Sequence, residues 1–228
     1  MTTTVRWHAV ADLADLARQA NTQILAIAEE AIAERGHFSI VLAGGDTPRP
    51  IYRRLRGAFT DWKRWDIYFG DERCLPADDS GRNSHMASSE WLDHVALAPS
   101  RIHRIAAEQG AQAAAAAYAQ TLSSVGAFDM VLLGLGEDGH TASLFPGHDL
   151  GLGPDAPDVL AVHDAPKPPP ERISLSAARL GRARRVLFLV AGSSKRQAVA
   201  DWRAGVPIPA STIASSGGVD VLVEASLL

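Results

Sequence analysis

The sequence has little of what would take it out of the ordinary globular class. It holds one cysteine, Cys74, among 228 residues. No intrachain disulfide can form, which excludes a secreted disulfide scaffold. Long apolar runs are absent. Met130–Leu135 and Val186–Ala191 are the most apolar stretches, and both fall far short of a bilayer span. Residues Met1–Asp12 contain Arg6 but no apolar segment of signal-peptide length. Charge of one sign is not in excess either: 22 Lys and Arg against 26 Asp and Glu leave a net −4. That balance lacks the basic surplus of a nucleic-acid binder. No internal repeat occurs, and no linker is long enough to separate two cores. The expectation is a soluble cytoplasmic chain, one domain over residues 1–228, with no membrane or nucleic-acid partner.

What is present alternates between strands and helices. Leu13, Leu16, Ala20, Ile24, Ile27 and Ala31 recur at steps of three and four, the apolar stripe of an amphipathic helix. Arg35-Gly36 reads as its stop. Phe38–Leu42, Asp66–Phe69, Phe128–Leu133, Val159–Val162, Arg172–Ser176, Arg185–Val190 and Val219–Val223 read as strands. Helices are expected around Ile51, Tyr52 and Leu55, from Asn83 to about Val95, over Ala111–Leu122 and from about Ser194 to Arg203. Arg182–Arg185 reads as a solvated face. This alternation predicts an α/β fold, a mainly parallel sheet with helices on both faces. The continuously apolar strands fit a sheet covered on both sides. In such sheets ligands bind beyond the carboxyl ends of the strands.

Four loops carry polar chemistry, and those after Leu42, Phe69, Leu133 and Val190 all follow strands. The first is Gly44-Gly45-Asp46-Thr47-Pro48. Its glycines let backbone N–H groups approach an anion closely, and Thr47 adds a hydroxyl donor. It is neither a Walker A loop nor a GxGxxG fingerprint. A tight strand-to-helix turn needs glycine on structural grounds alone. Asp46 would repel a phosphate unless its side chain points away. The second loop is Gly70-Asp71-Glu72-Arg73. Asp71 is a candidate orienting carboxylate or proton acceptor, and Arg73 a donor to an anionic group. A solvated loop would also explain these charges. Cys74 beside them lacks a histidine or metal-ligand spacing and reads as inert.

The third segment, Gly134–Gly147, is the most specific, with Gly134, Gly136 and Gly139 around Glu137, Asp138 and His140. A histidine titrates near neutral pH and can take a proton from water and return it to a leaving group. Asp138, two residues earlier, could fix its tautomer. The bland reading is a histidine capping a following helix. Asp138, His140 and His148 match no strong metal-ligand pattern, so no metal is expected. The fourth group is Lys167, Arg172 and Lys195, cations that could hold a phosphate from several sides or simply face water. Lys195 follows Gly192-Ser193-Ser194 after a strand, and Arg172 adjoins the Pro166–Pro170 run.

Taken in order, these segments resemble the 6-phosphogluconolactonase family. The resemblance runs through Ala43–Pro48 with Ile51-Tyr52, Gly70–Arg73 with Asn83, Gly134–Gly147, Lys167–Ser176, and Gly192 with Lys195. The stretch Gly136–Pro146 is highly specific. Asp46 departs from the family pattern, which more often has serine there. The resemblance implies a three-layer α/β/α Rossmann-like domain, the fold of glucosamine-6-phosphate deaminases and ribose-5-phosphate isomerases. It implies hydrolysis of 6-phospho-D-glucono-1,5-lactone without a cofactor, by a monomer or small homo-oligomer. His140 would then activate water, Arg73 would stabilise the oxyanion, and Asp71 or Asp138 would orient the histidine or the sugar. Gly44, Gly45, Thr47, Arg172 and Lys195 would hold the 6-phosphate. Two alternatives stand beside it: an amino-sugar-phosphate deaminase or isomerase of the same fold, and a non-catalytic sugar-phosphate sensor.

Overall fold

A computed structural model of the chain describes residues 4–153 and 155–228. Residues 1–3 of the N-terminal stretch and Pro154 of the Phe145–Pro157 loop lie outside the described residues. The strands are β1 (Val5–Val10), β2 (Phe38–Leu42), β3 (Trp65–Phe69), β4 (Asp71–Arg73), β5 (Phe128–Gly134), β6 (Val159–Val162), β7 (Arg172–Leu175), β8 (Ala183–Val190) and β9 (Val219–Glu224). The α-helices are α1 (Leu13–Arg35), α2 (Arg49–Leu55), α3 (Asn83–Glu90), α4 (Ala111–Leu122), α5 (Ala177–Gly181) and α6 (Arg196–Arg203).

Six strands form a sheet in the order β1-β9-β8-β5-β2-β3. Every pairing in it is parallel. Its central strands are apolar throughout because both faces are covered: all five residues of β2 are buried, as are the first six of β5. Helix α1 begins where Asp12 accepts a hydrogen bond from the Asp15 N–H, and it ends at Gly36, whose N–H bonds to the Ile32 carbonyl. Its buried stripe is Leu16, Ala17, Ala20, Asn21, Ile24, Ala28 and Ala31, whereas Leu13 is exposed. Helix α4 is more than a solvent-flanked helix. It buries Ala111, Ala114, Ala115, Tyr118 and Leu122, and the Tyr118 hydroxyl accepts the Phe69 N–H at 3.0 Å.

Three features depart from the expected arrangement. Val5–Val10 is a strand at the sheet edge, its side chains only partly buried. Asp71–Arg73 is a strand and not a loop, and with β7 and β6 it forms a separate three-stranded antiparallel sheet. Val159–Val162 and Arg172–Leu175 therefore lie outside the parallel sheet. Gly70 joins the two sheets: its N–H bonds to the Leu42 carbonyl at 3.1 Å and its own carbonyl accepts from the Leu175 N–H at 2.8 Å.

The strand order places the binding crevice. From β2 the chain crosses to β3 on one side, while β5 lies on the other. The connections after β2 and β5 thus diverge and leave a gap above their carboxyl ends.

Candidate active site

A cavity of about 420 Å³ opens at that gap, within the range of small-ligand pockets. Gly44, Gly45, Thr47, Asp71, Arg73, His140, Arg172 and Lys195 all line it. Asp138 stands behind, bonded to His140. Residues from four separate loops and from both sheets therefore meet in one place.

His140 sits on a loop that is fastened at many points. The Gly136 N–H bonds to the His140 carbonyl at 2.7 Å, and the imidazole lies against the Gly136 backbone. No helix follows it, so it caps none. Instead, Thr141–Leu144 forms a tight turn closed by the Leu144 N–H to the Thr141 carbonyl at 2.9 Å. Ala142 takes a φ of 49° in this turn, a left-handed conformation that an alanine holds only under constraint. The constraint is visible. The Thr141 hydroxyl donates to the Gly134 carbonyl at 2.8 Å, the Ser143 hydroxyl to Asp71 at 2.7 Å, and the Ser143 N–H to the Ser174 hydroxyl at 3.3 Å.

The protonation of the imidazole follows from its partner. Asp138 Oδ1 faces Nδ1 of His140 and also accepts the His140 N–H. An ionised carboxylate accepts only, so Nδ1 carries the proton and Nε2 keeps its lone pair. Burial pulls His140 below its ordinary value, Asp138 opposes this, and Lys167 adds to it. Burial pushes Asp138 upward, but the pairing with His140 wins and holds it below the usual carboxylate range. The ring is thus neutral at pH 7 with its basic nitrogen free. The ring also packs against Phe145, centroids 4.8 Å apart.

Asp71 ties the loops to one another. It is buried, and it accepts from the Asn83 side chain at 3.0 Å as well as from Ser143. Burial raises its pKa, while Ser143 and the charges of Arg172 and Arg73 oppose the rise. Asn83 packs where a side chain on residue 44 would lie, so Gly44 is needed for that close approach. Glu72, fully buried, has a different task. It accepts the N–H groups of Asn83 and Ser84 at 2.7 and 2.8 Å and so caps α3. Asp46 pairs with Arg49, its Oδ1 accepting from Nε at 3.1 Å, which partly offsets its charge at the cavity lining.

Four cations surround the cavity: Arg73, Lys167, Arg172 and Lys195. Arg73 and Arg172 stand directly opposite each other on β4 and β7. Like charges in that position repel, and an anion between or beside them relieves the repulsion. Burial lowers the pKa of Lys195, which Glu137 counters. Lys167 belongs to the cavity as fully as Lys195. Its charge was the signal in the sequence, whereas Asn83 and Ser143 entered only through the resemblance, since their contacts bridge 12 and 72 residues. Cys74 is set apart from this chemistry, its thiol pushed up to about 11 by burial.

The arrangement offers a neutral base, a carboxylate holding its tautomer, and a ring of cations for an anionic ligand. The family model for glucosamine-6-phosphate isomerases/6-phosphogluconolactonase matches residues 11–222. The 6-phosphogluconolactonase of Streptomyces coelicolor is 41% identical over 203 residues, which cover 81% of this chain and 77% of that protein. That of Mycobacterium tuberculosis is 38% identical over 198 residues, 79% of this chain and 80% of its own. The solved structure of 6-phosphogluconolactonase from Trypanosoma brucei superposes with a TM-score of 0.85 at 26% identity, covering 99% of this chain and 98% of that one. A monomeric glucosamine-6-phosphate deaminase superposes with a TM-score of 0.79 at 23% identity, covering 97% and 98%, a likeness of fold.

Proposed function

The chain belongs to the glucosamine-6-phosphate isomerase/6-phosphogluconolactonase family, and on that premise we infer how its pocket carries out the lactonase reaction. The reaction is hydrolysis of 6-phospho-D-glucono-1,5-lactone to 6-phospho-D-gluconate, a step of the oxidative pentose phosphate pathway. A δ-lactone is an activated ester, so the protein needs position, a base and a place for the oxyanion.

His140 Nε2 accepts a proton from water as the water oxygen bonds to C1. The Asp138 carboxylate, bonded at Nδ1, holds the tautomer and steadies the imidazolium that forms. Arg73 faces the developing oxyanion. The tetrahedral intermediate collapses with cleavage of the C1–ring-oxygen bond, and His140 returns its proton to that oxygen. Asp71 meets sugar hydroxyls and anchors the His140 loop through Ser143. The Gly44-Gly45 backbone, Thr47, Lys195 and Lys167 hold the 6-phosphate, and Arg172 serves the same end. The buried apolar side chains of the described residues fall in one core cluster, which supports reading the chain as a single domain.

The observation that carries this reading is the free Nε2 of a neutral His140 inside a cation-lined cavity. The test is consumption of 6-phospho-D-glucono-1,5-lactone with the spontaneous rate subtracted, run beside ammonia release from glucosamine 6-phosphate. Lactone opening above background with no ammonia supports it. Ammonia release, or lactone decay at the spontaneous rate, contradicts it.

A further inference from the structure

Arg172 lines the cavity, yet one edge of its guanidinium is already committed within the protein. Nε donates to the Pro169 carbonyl at 3.1 Å. Nη2 donates to the Lys167 carbonyl at 2.9 Å and the Pro168 carbonyl at 3.1 Å. These acceptors belong to the connection between β6 and β7, which reads Pro166-Lys167-Pro168-Pro169-Pro170. Proline has no N–H. The segment is therefore rich in acceptors and almost without donors, and its own backbone can fasten it at few points. The Ala165 N–H bonds to the Pro170 carbonyl at 2.9 Å, and the Cys74 N–H to the Glu171 carbonyl at 3.1 Å. A planar guanidinium, with several donors in fixed directions, is the side chain suited to gather three such carbonyls.

The base of this strut is rigid. Arg172 is 5% exposed, lies on the middle strand of the small sheet, and stacks over the buried Phe145 ring at 5.5 Å. Its far end carries Lys167, whose side chain is exposed at the cavity rim.

We propose that Arg172 is a positioning residue: it holds the Lys167–Pro169 backbone so that the Lys167 ammonium, and not its own guanidinium, meets the phosphate of the substrate. The proposal rests on the lactonase reading for the identity of that phosphate. It makes Arg172 and Lys167 one functional unit, whereas Lys195, on a different loop, acts independently.

The test compares Lys167→Met, Arg172→Met, Arg172→Lys, Lys195→Met and the doubles K167M/R172M and K167M/K195M. Steady-state kinetics use 6-phospho-D-glucono-1,5-lactone and unphosphorylated D-glucono-1,5-lactone. K167M and R172M should each raise KM for the phosphorylated lactone about tenfold with kcat little changed. The double K167M/R172M should be no worse than R172M alone, while K167M/K195M should show the product of its singles. R172K keeps the charge but cannot span three carbonyls, so it should behave as R172M. None should change KM for the unphosphorylated lactone. A K167M/R172M value equal to the product of the singles, or a wild-type KM in R172K, would overturn the proposal. If R172M does not fold, R172K and K167M/R172K carry the same comparison. Calorimetric titration of each variant with 6-phospho-D-gluconate reads the same coupling without turnover. A wild-type protein that opens no lactone therefore removes the lactonase reading and leaves the strut to be judged by binding.

Discussion

A Cβ placed on Gly136 would lie 2.0 Å from Nδ1 of His140. The imidazole occupies the volume that any side chain at position 136 would fill, four residues before it in the chain. The absence of a side chain at residue 136 is thus part of the histidine's placement. Gly136→Ala should displace the ring without removing any reacting group. The expected loss in kcat is about 10²-fold, the usual consequence of a displacement of about 1 Å. Kinetics beside a thermal melt check this, and a folded G136A enzyme with wild-type turnover would contradict it.

Asp138 governs both the tautomer and the titration of His140. The folded-state pKa of His140 lies below its ordinary value of 6.5, so the base is already deprotonated at neutral pH. The rate should rise through that lowered pKa and be level by pH 7. Asp138 acts in the opposite direction to burial, favouring the charged imidazolium. Asp138→Asn should therefore move the acid limb of kcat/KM to lower pH and lower the plateau by about 10² or more. A pH–rate profile decides it. An acid limb moving to higher pH would show that Asp138 does not charge-pair with the ring.

Ser143 donates its hydroxyl to a buried carboxylate, Asp71. Ser143→Ala leaves that buried oxygen short of a donor. The expected destabilisation is about 1–3 kcal/mol, accompanied by reduced kcat because the turn bearing His140 loses an anchor. Chemical denaturation and kinetics on the same preparation test both. Unchanged stability and turnover would remove Ser143 from the positioning network.

Glu90 is the clearest source of acid sensitivity outside the cavity. The Arg53 guanidinium, joined by Arg49, holds its carboxyl down at about 2 from 4.5. Because the folded value lies below the unfolded one, its contribution is complete above pH 4.5 and is lost as pH falls toward about 2. Glu90→Gln should melt below the wild type at neutral pH, and the gap should narrow on acidification to about pH 3. A gap independent of pH would show that the carboxylate charge is not what stabilises.

Much of this was legible before the structure because it rests on local signals. Phe38–Leu42 and Ala111–Leu122 are elements with the predicted bounds, one a continuous apolar run and the other a run of strong helix formers. The pairing of His140 with Asp138 needed only two residues of separation. What escaped depends on distant partners. Asp71–Arg73 has no strand propensity and becomes a strand because β7 pairs with it. Val5–Val10 is a half-exposed edge, without the continuous burial that marked the central strands. Arg172 read as a phosphate ligand from its charge, its place at a strand start and the family resemblance. Its three carbonyl partners become visible only when the proline segment folds over it.

The central claim is that the free nitrogen of His140 draws the proton from the attacking water. The most direct measurement is turnover of 6-phospho-D-glucono-1,5-lactone by His140→Ala against wild type, with spontaneous hydrolysis subtracted and folding verified by thermal melt. The account predicts a kcat lower by about 10²–10⁴ with a largely preserved KM. A folded H140A enzyme turning over at the wild-type rate would contradict it.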